Sequence, residues 1–306
     1  MVDTILQSHH EDIKGKSIRE DLDDVIHNIS PVDHPVFQDA SFKSSKGKLH
    51  EWLVDVLASR GTNAATEGSD VTVGLETQPT RKTNIVQILR KTVGVSDTQR
   101  AIVHAGFKDA FNYYATKKAK ELANDIEFTI INQTLVTGAT NAIDYMSGLL
   151  DQITTTASQV AQSVLTETAY NDLLELIWAQ GGTPDVMYLA AYHKRRVDEF
   201  LTKTDLRVMQ QNVDSDKVRS TFTFYLSVFG LIENKLSRDI PFTGNSTGGT
   251  IVAGQKDMLR FALLRKTKLT PLAKTGSSTR AFYETEGALE VGNEKAFGKY
   301  TKLKAD

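Results

Sequence analysis

The sequence predicts an α+β fold, and three observations lead there. Two apolar strands flank a long polar tip between Leu49 and Ser96. A helical pattern without proline runs on from Asp97. Beyond Glu167, short amphipathic helices alternate with apolar strands, a mixture that gives a sheet with helices beside it.

The first element expected is a short helix over Ser17–Ser30. Ser17 and Glu20 form an S-x-x-E capping box, in which each side chain satisfies a backbone N–H of the first turn. Ile18, Leu22, Val25, Ile26 and Ile29 then share one face. Ser30-Pro31 ends the helix, because the residue before proline is pushed out of the helical region. Pro31 and Pro35 bracket an extended linker. Such a helix is too short to stand alone, so its stripe must lie on this subunit or on the next. Arg19 and Ile26 are its contact candidates.

The hairpin follows. Its outgoing strand is LHEWLVDVLAS, Leu49–Ser59, and its returning strand is RKTNIVQILRKTVGVS, Arg81–Ser96. Between them lie small and polar residues from GTNAATEGSD to VTVGLETQPT. A patternless loop of about twenty residues is usually functional. Strands this apolar leave edges that want a partner, and the simplest partner is another copy of the chain. Trp52, Glu67, Arg81, Lys82 and Arg90 are the contact candidates here. The plainer alternative is a hairpin with charged edges.

Asp97 is the expected N-cap of a very long helix. Phe107, Phe111, Tyr114, Leu122, Ile126 and Ile130 recur at helical spacing, Lys118 and Gln133 interrupt the stripe, and Lys117 faces Glu121 four residues on. Unbroken to Gly138, it would run about 40 residues, or roughly 60 Å. The alternative is an ordinary helix broken near Gly106. After loops and short strands over 137–166, Glu167–Gln180 is a helix with Leu173, Leu174, Ile177 and Trp178 inward, stopped by Gly181-Gly182. A buried strand Asp185–Ala190 and a helix Ala191–Thr202 come next. Strands are expected over Ser220–Val228, Leu231–Glu233 and Thr250–Arg265, the last interrupted near Lys256. RAFYETEGALEVG alternates as a closing strand, with Phe282, Glu284 and Glu286 opposite Tyr283, Thr285 and Gly287.

Three stretches carry a family resemblance. HEWLVDVLA, GTNAATEGSD and RKTNIVQILRKTVGVSDTQ together resemble the extended loop of the major head (capsid) proteins of tailed bacteriophages. REDLDDVIHNISPVDHPVF (Arg19–Phe37) resembles that family's N-terminal arm, and TPLAKTGSSTRAFYETEGALEVGNEKAFG (Thr270–Gly298) its closing strands. The likeness covers roughly residues 17–300 in order. It implies the Hong Kong 97-like fold: an N-terminal arm (1–46), an extended β-hairpin loop (47–97), a peripheral domain with a spine helix (98–160), a mixed axial domain (161–264) and peripheral return strands (265–306). It also implies self-assembly into hexamers and pentamers of a virion shell in a host bacterial cytoplasm. Scaffolding, portal and decoration proteins would be partners, and packaged DNA would be touched without sequence specificity. A precursor shell that expands as DNA enters is likewise implied. Some shells of this fold carry a lysine–asparagine isopeptide bond between subunits; Lys46 and Lys48 are candidates, but no spacing supports one. An encapsulin-type nanocompartment shell is the rival on the same fold.

Composition agrees with this and excludes other classes. Apolar residues are 40 % and charged residues 24 %, the balance of a globular chain. A compact chain of 33.8 kDa would expose about 12,700 Å², and a projecting flap and arm raise that. The chain has no cysteine, which excludes disulfides, thiolate metal sites and cysteine nucleophiles. A net charge of −2 without a basic block argues against a dedicated nucleic-acid or anionic-membrane binder. No apolar run approaches a bilayer span, and MVDTILQSHHEDIK has neither the basic start nor the apolar core of a signal peptide.

Candidate chemistry is thin. Gly244-Asn245-Ser246-Thr247-Gly248 matches the G-x-S-x-G nucleophile elbow, but that motif needs a strand before and a helix after; here a loop leads into a strand, so a solvated turn is expected and a serine hydrolase using Ser246 is the remote alternative. The seven histidines (His9, His10, His27, His34, His50, His104, His193) make no ligand-spaced set; His50, beside Trp52, is the one considered for pH sensing. Glu20, Asp21, Asp23 and Asp24 suit a solvated helix N-terminus. His193, Lys194, Arg195 and Arg196 form a small basic patch on an expected exposed helix face; His193 and Arg195 are its candidates for a contact with another subunit. No phosphate-binding glycine loop is present. No catalytic, cofactor or metal residue is expected.

Overall fold

A computed structural model describes residues 33–304 apart from 59, 72–73, 75–76, 105, 139–142, 160–163, 204–223 and 243–247. The expected helix Ser17–Ser30, with Arg19 and Ile26, lies outside the described residues, and so does Ser246.

The described elements, in chain order, are α1 (Pro35–Asp39), β1 (Ser41–Ser44), β2 (Leu49–Val54), β3 (Thr80–Ile85), β4 (Gln87–Ser96), α2 (Asp97–Ala101), α3 (Ala110–Asn132), α4 (Leu149–Gln152), β5 (Ala157–Gln159), α5 (Glu167–Ala179), β6 (Val186–Leu189), α6 (Ala191–Lys203), β7 (Phe224–Ser227), β8 (Gly230–Leu236), β9 (Gly249–Gly254), β10 (Leu259–Pro271), β11 (Ser278–Val291) and β12 (Phe297–Leu303). They make a four-stranded sheet ordered β1-β10-β11-β4, a six-stranded sheet ordered β5-β12-β9-β6-β8-β7, and the ribbon β2-β3. The α+β class is as expected.

Several expectations are corrected. The returning strand of the hairpin is two strands. β3 pairs with β2 from Leu49↔Ile85 to Val54↔Thr80, and β4 then leaves to pair with β11 over its whole length. Val86, between them, donates its N–H to Lys48 O at 2.9 Å. Pro35 is not part of an extended linker; it opens α1, where its fixed φ and missing N–H do no harm. The long helix is broken near Gly106, which adopts φ +86°. Ser96, rather than Asp97, caps α2, accepting from Gln99 N at 3.2 Å. Asp109 restarts the helix by accepting from Phe111 N at 2.9 Å. The resulting α3 has 23 residues, about 35 Å. Phe107 falls outside it and stacks on Tyr113 at 4.8 Å. Lys118, not Lys117, pairs with Glu121, at 2.6 Å, and its hydrogen bond holds the Glu121 carboxyl below the usual carboxylate range.

α5 starts where Thr166 accepts from Ala169 N, and it stops at Gly181, φ +92°. Leu173, Leu174 and Ile177 are buried, but Trp178 is 60 % exposed and faces outward beside Phe229. Three aliphatic side chains already fill the inward face, and the next residue falls about 100° around the helix.

β6 is central to its sheet and apolar on both faces. Val186 and Tyr188 join α3, β10 and β11 in one core, with Leu122, Ile126, Ile130, Phe261 and Leu289. Met187 and Leu189 face a second core with Leu173, Leu174 and Ile177 of α5 and Ile251 of β9. The period-2 alternation of one strand therefore ties the two cores together. Packing is closest at Gly254, where an added Cβ would lie 2.0 Å from the Phe297 ring. Overpacking of a core costs about 1–3 kcal/mol; Gly254→Ala is accordingly expected at or above the top of that range, read as a lowered urea midpoint with unchanged slope.

Candidate functional site

The flap has a fixed base and a free end. On β11, Glu290 is buried and accepts from His50 Nε2 of β2 at 2.6 Å, Lys43 Nζ of β1 at 3.0 Å and Arg260 Nη1 of β10 at 3.0 Å. Burial alone would raise its pKa, but those three hydrogen bonds win and hold the carboxyl below the usual range. Opposite His50 in the ribbon stands Asn84, also buried. Its amide nitrogen donates to Ser147 O at 2.9 Å and Leu289 O at 2.6 Å, and its amide oxygen accepts from Ser147 N at 2.8 Å. One rung, His50 with Asn84, thus pins the ribbon to the body.

Beyond that rung the inner face, with Trp52, Val54 and Lys82, overhangs a cleft of about 400 Å³ whose far wall includes Thr154, Val291 and Glu294. Lys82 reaches Glu294 across it at 3.6 Å. Trp52 stacks on His50 at 5.8 Å, and its indole N–H has no acceptor among the described residues. The outer face carries exposed Leu49 and Leu53 around an Arg81–Glu51 pair at 3.5 Å. Towards the tip, Glu67 is exposed, Leu57 is 95 % and Val71 90 % exposed.

The remaining candidates are dispersed. Arg90 lies on the sheet face away from α3, 5.1 Å over the Phe282 ring, with its Nε 2.7 Å from Glu284 of its own chain. Lys48 pairs with Asp144 at 2.5 Å. The basic patch is not a surface patch. His193 is wholly buried against Phe242 and Tyr192, and Gly249 makes room for it, since a Cβ there would lie 2.5 Å from its Nε2. Neither ring nitrogen has a partner among the described residues, and burial pushes its pKa down to about 4. Lys194 is largely buried with Asp198, and Arg196 bonds Glu199 and the Tyr192 hydroxyl. Only Arg195 of the four faces solvent. Among the described residues no cluster of His, Asp and Glu is placed to hold a metal, and no helix is long and apolar enough to cross a membrane.

One surface escaped notice in the sequence. Among the described residues β7 is an edge strand, and Phe224 and Leu226 on it, Val228 in the turn and Leu231 opposite Leu226 are all exposed. Tyr225 on the other face is buried. The signal was present in FTFYLSVFGLI, which is apolar at nearly every position and so supplies both a buried and an outward face.

The family described as SU10 major capsid protein matches residues 3–304. A major capsid protein of Escherichia phage Phieco32 is 38 % identical over 106 residues, 34 % of this chain and 30 % of that relative's length. The chain therefore aligns with less than a third of that relative. Among solved structures, the capsid of a native GTA particle matches with TM-score 0.68 at 14 % identity, covering 98 % of this chain and 100 % of that one. A Gordonia phage Cozz chain matches at 0.62 and 14 %, covering 94 % and 92 %. The SrpI encapsulin of Synechococcus elongatus matches at 0.60 and 9 %, covering 98 % and 96 %. The fold is that of these shells, the Hong Kong 97-like fold.

Two outcomes follow from the geometry. Glu290→Gln removes the charge that Lys43, Arg260 and His50 share. The first two are half-exposed and can turn to water, so the loss is expected near ~2 kcal/mol rather than the 3–5 of a sealed pair, with faster tryptic cutting at Arg60. His193 contributes stability that is whole above pH 6.5 and is lost as pH falls through about 4, on the order of 3 kcal/mol. His193→Leu should flatten that acid limb in denaturation midpoints while leaving pH 7 stability equal or higher.

Proposed function

This chain belongs to the SU10 major capsid protein family, and on that premise we propose that it is the major capsid protein of a phage head, assembling into an icosahedral shell around double-stranded DNA. The observation that carries this is the flap: a ribbon pinned at one end by buried polar groups, with apolar side chains on its outer face and tip left in water. A monomer gains nothing from exposing Leu53, Leu57 and Val71, whereas a neighbour that covers them does.

The mechanism is repetition. Flap, arm and axial-domain edge each meet another copy, and many weak contacts close a shell that no single contact would hold. Leu49, Leu53 and Leu57 supply apolar area on the flap, with Glu67 and Arg81 as its charged rim. The β7 edge, with Phe224 and Leu226, suits a ring contact between axial domains, and Arg195, exposed on α6, suits a charged one. Arg81, Lys82, Arg90 and Arg195 each already have an acidic partner in their own chain, Glu51, Glu294, Glu284 and Glu199 in turn, and would contact another copy by exchanging it. Arg19 and Ile26, outside the described residues, are proposed as arm contacts. The division into arm, loop, peripheral and axial parts at 46, 97, 160 and 264 goes with this reading. Hexamers and pentamers are the assembly units, scaffolding, portal and decoration proteins are the expected companions, and DNA is contacted without sequence reading. No catalytic step is assigned to the chain.

A cellular nanocompartment shell is the second reading, supported by the fold shared with the SrpI encapsulin; neighbouring portal and terminase genes, as against a cargo enzyme, separate the two. A hydrolase using Ser246 would show esterase activity abolished by Ser246→Ala. The structural reading is tested by deleting residues 61–79. Circular dichroism and melting should show a folded body, and negative-stain microscopy should show closed shells for the parent and none for the deletion. Normal shells from the deletion would sink the role given to the flap.

A further inference from the structure

α1 is only five residues long, yet three other elements of the body hold it and a fourth packs on it. Glu127 of α3 accepts the Val36 N–H on Oε1 at 3.0 Å and the Phe37 N–H on Oε2 at 2.8 Å. Asp39 accepts from Lys235 of β8 at 2.5 Å and from the Tyr188 hydroxyl of β6 at 2.7 Å. Phe37 meets Phe261 of β10 edge-on at 5.6 Å. The chain just before Pro35 thus joins the body where α3, the four-stranded sheet and the six-stranded sheet converge.

Glu127 is the unusual member of this joint. It is wholly buried and has no ion pair among the described residues. The charged and titratable groups that face it are Asp39 on α1, already matched by Lys235, Asp239 after β8, which feels His34, and the Tyr188 hydroxyl on β6. Among the described residues no lysine or arginine on these elements is spare for it, and the one histidine at the joint, His34 at the start of α1, has a buried Nδ1 without a hydrogen-bond partner and lies toward Asp239. A sealed carboxylate so placed is costlier than a neutral carboxyl, although two N–H groups offset part of the difference.

We propose that Glu127 is a proton-operated latch on the root of the arm: α1 stays seated on α3 while the carboxyl is protonated, and loss of the proton loosens it. Burial, helped by Asp239 and Asp39, pushes the Glu127 pKa up from 4.5 to about 7, against the pull of the two N–H groups. When α1 lifts, water reaches the group and its ordinary value returns. Below pH 4.5 both forms are protonated and the latch is at its tightest. As pH rises, only the open form ionises, so the latch weakens about tenfold per pH unit until roughly pH 7, where both forms are ionised and the weakening stops. The latch is a property of the single chain. Only its consequence, an arm root that a neighbour can reseat near neutral pH, rests on the shell reading.

The test is amide hydrogen exchange of the full chain between about pH 5 and 8, corrected for intrinsic rates and read on the peptide holding Val36 and Phe37. Opening should rise about 70-fold over that range in the parent and be flat in Glu127→Gln, while β6 peptides keep their protection in both. A flat parent, a variant that parallels the parent, or β6 amides that open in step would each overturn the latch. If Glu127→Gln does not fold, Asp239→Asn removes a like charge that faces Glu127 and should move the levelling point to lower pH; an unmoved point overturns the proposal too. Shells seen by microscopy bear on the other reading alone, so the two stand or fall separately.

Discussion

The seat of the flap on the body depends on one buried carboxylate. Glu290 joins β1, β2, β10 and β11, and it does so from the middle of a sheet where an unpaired charge would be ruinous. Its three donors come from segments near residues 43, 50 and 260, so the site exists only when β1, β2 and β10 are all in place beside β11. Asn84 repeats the arrangement on the other side of the rung, with neutral donors and acceptors. A ribbon of two strands is marginal by itself in water; here it is stable because its first rung is part of the body.

Much of the architecture was legible in the sequence. The flap, the helix expected over Glu167–Gln180 with its glycine stop, and the closing strands follow from period and from end signals, which are local properties. What failed was decided by tertiary partners. The returning strand changes sheets at Val86 because β11 offers an edge there, and nothing within Arg81–Ser96 marks the exchange. Gly106 was visible as a weak point, yet whether a glycine bends or breaks a helix depends on what Phe107 and Tyr113 find to stack on.

The candidate site was less legible than the fold, for a related reason. His193 sits in a run of basic residues and looks like surface, but α6 turns it inward onto Phe242 while Arg195 stays out. Arg90 and Lys82 look free and have acidic partners far away in sequence. The polar groups that matter most, Glu127, Asn84 and Glu290, break no pattern that composition or spacing can show. Burial of a charge is a property of three-dimensional neighbours, and a lone glutamate on a helix or strand carries no mark of it.

The single pinned rung makes the flap a lever. Strand rise is about 3.3 Å per residue, so Val54 stands roughly 13 Å from His50, and a turn of about 15° at the rung displaces it by roughly 3 Å. Across the cleft the Lys82–Glu294 contact spans the gap, at a distance where it yields to water. Identical chains can therefore seat the same side chains against surfaces set at different angles, with the angular difference absorbed in the ribbon and none of it transmitted to either core.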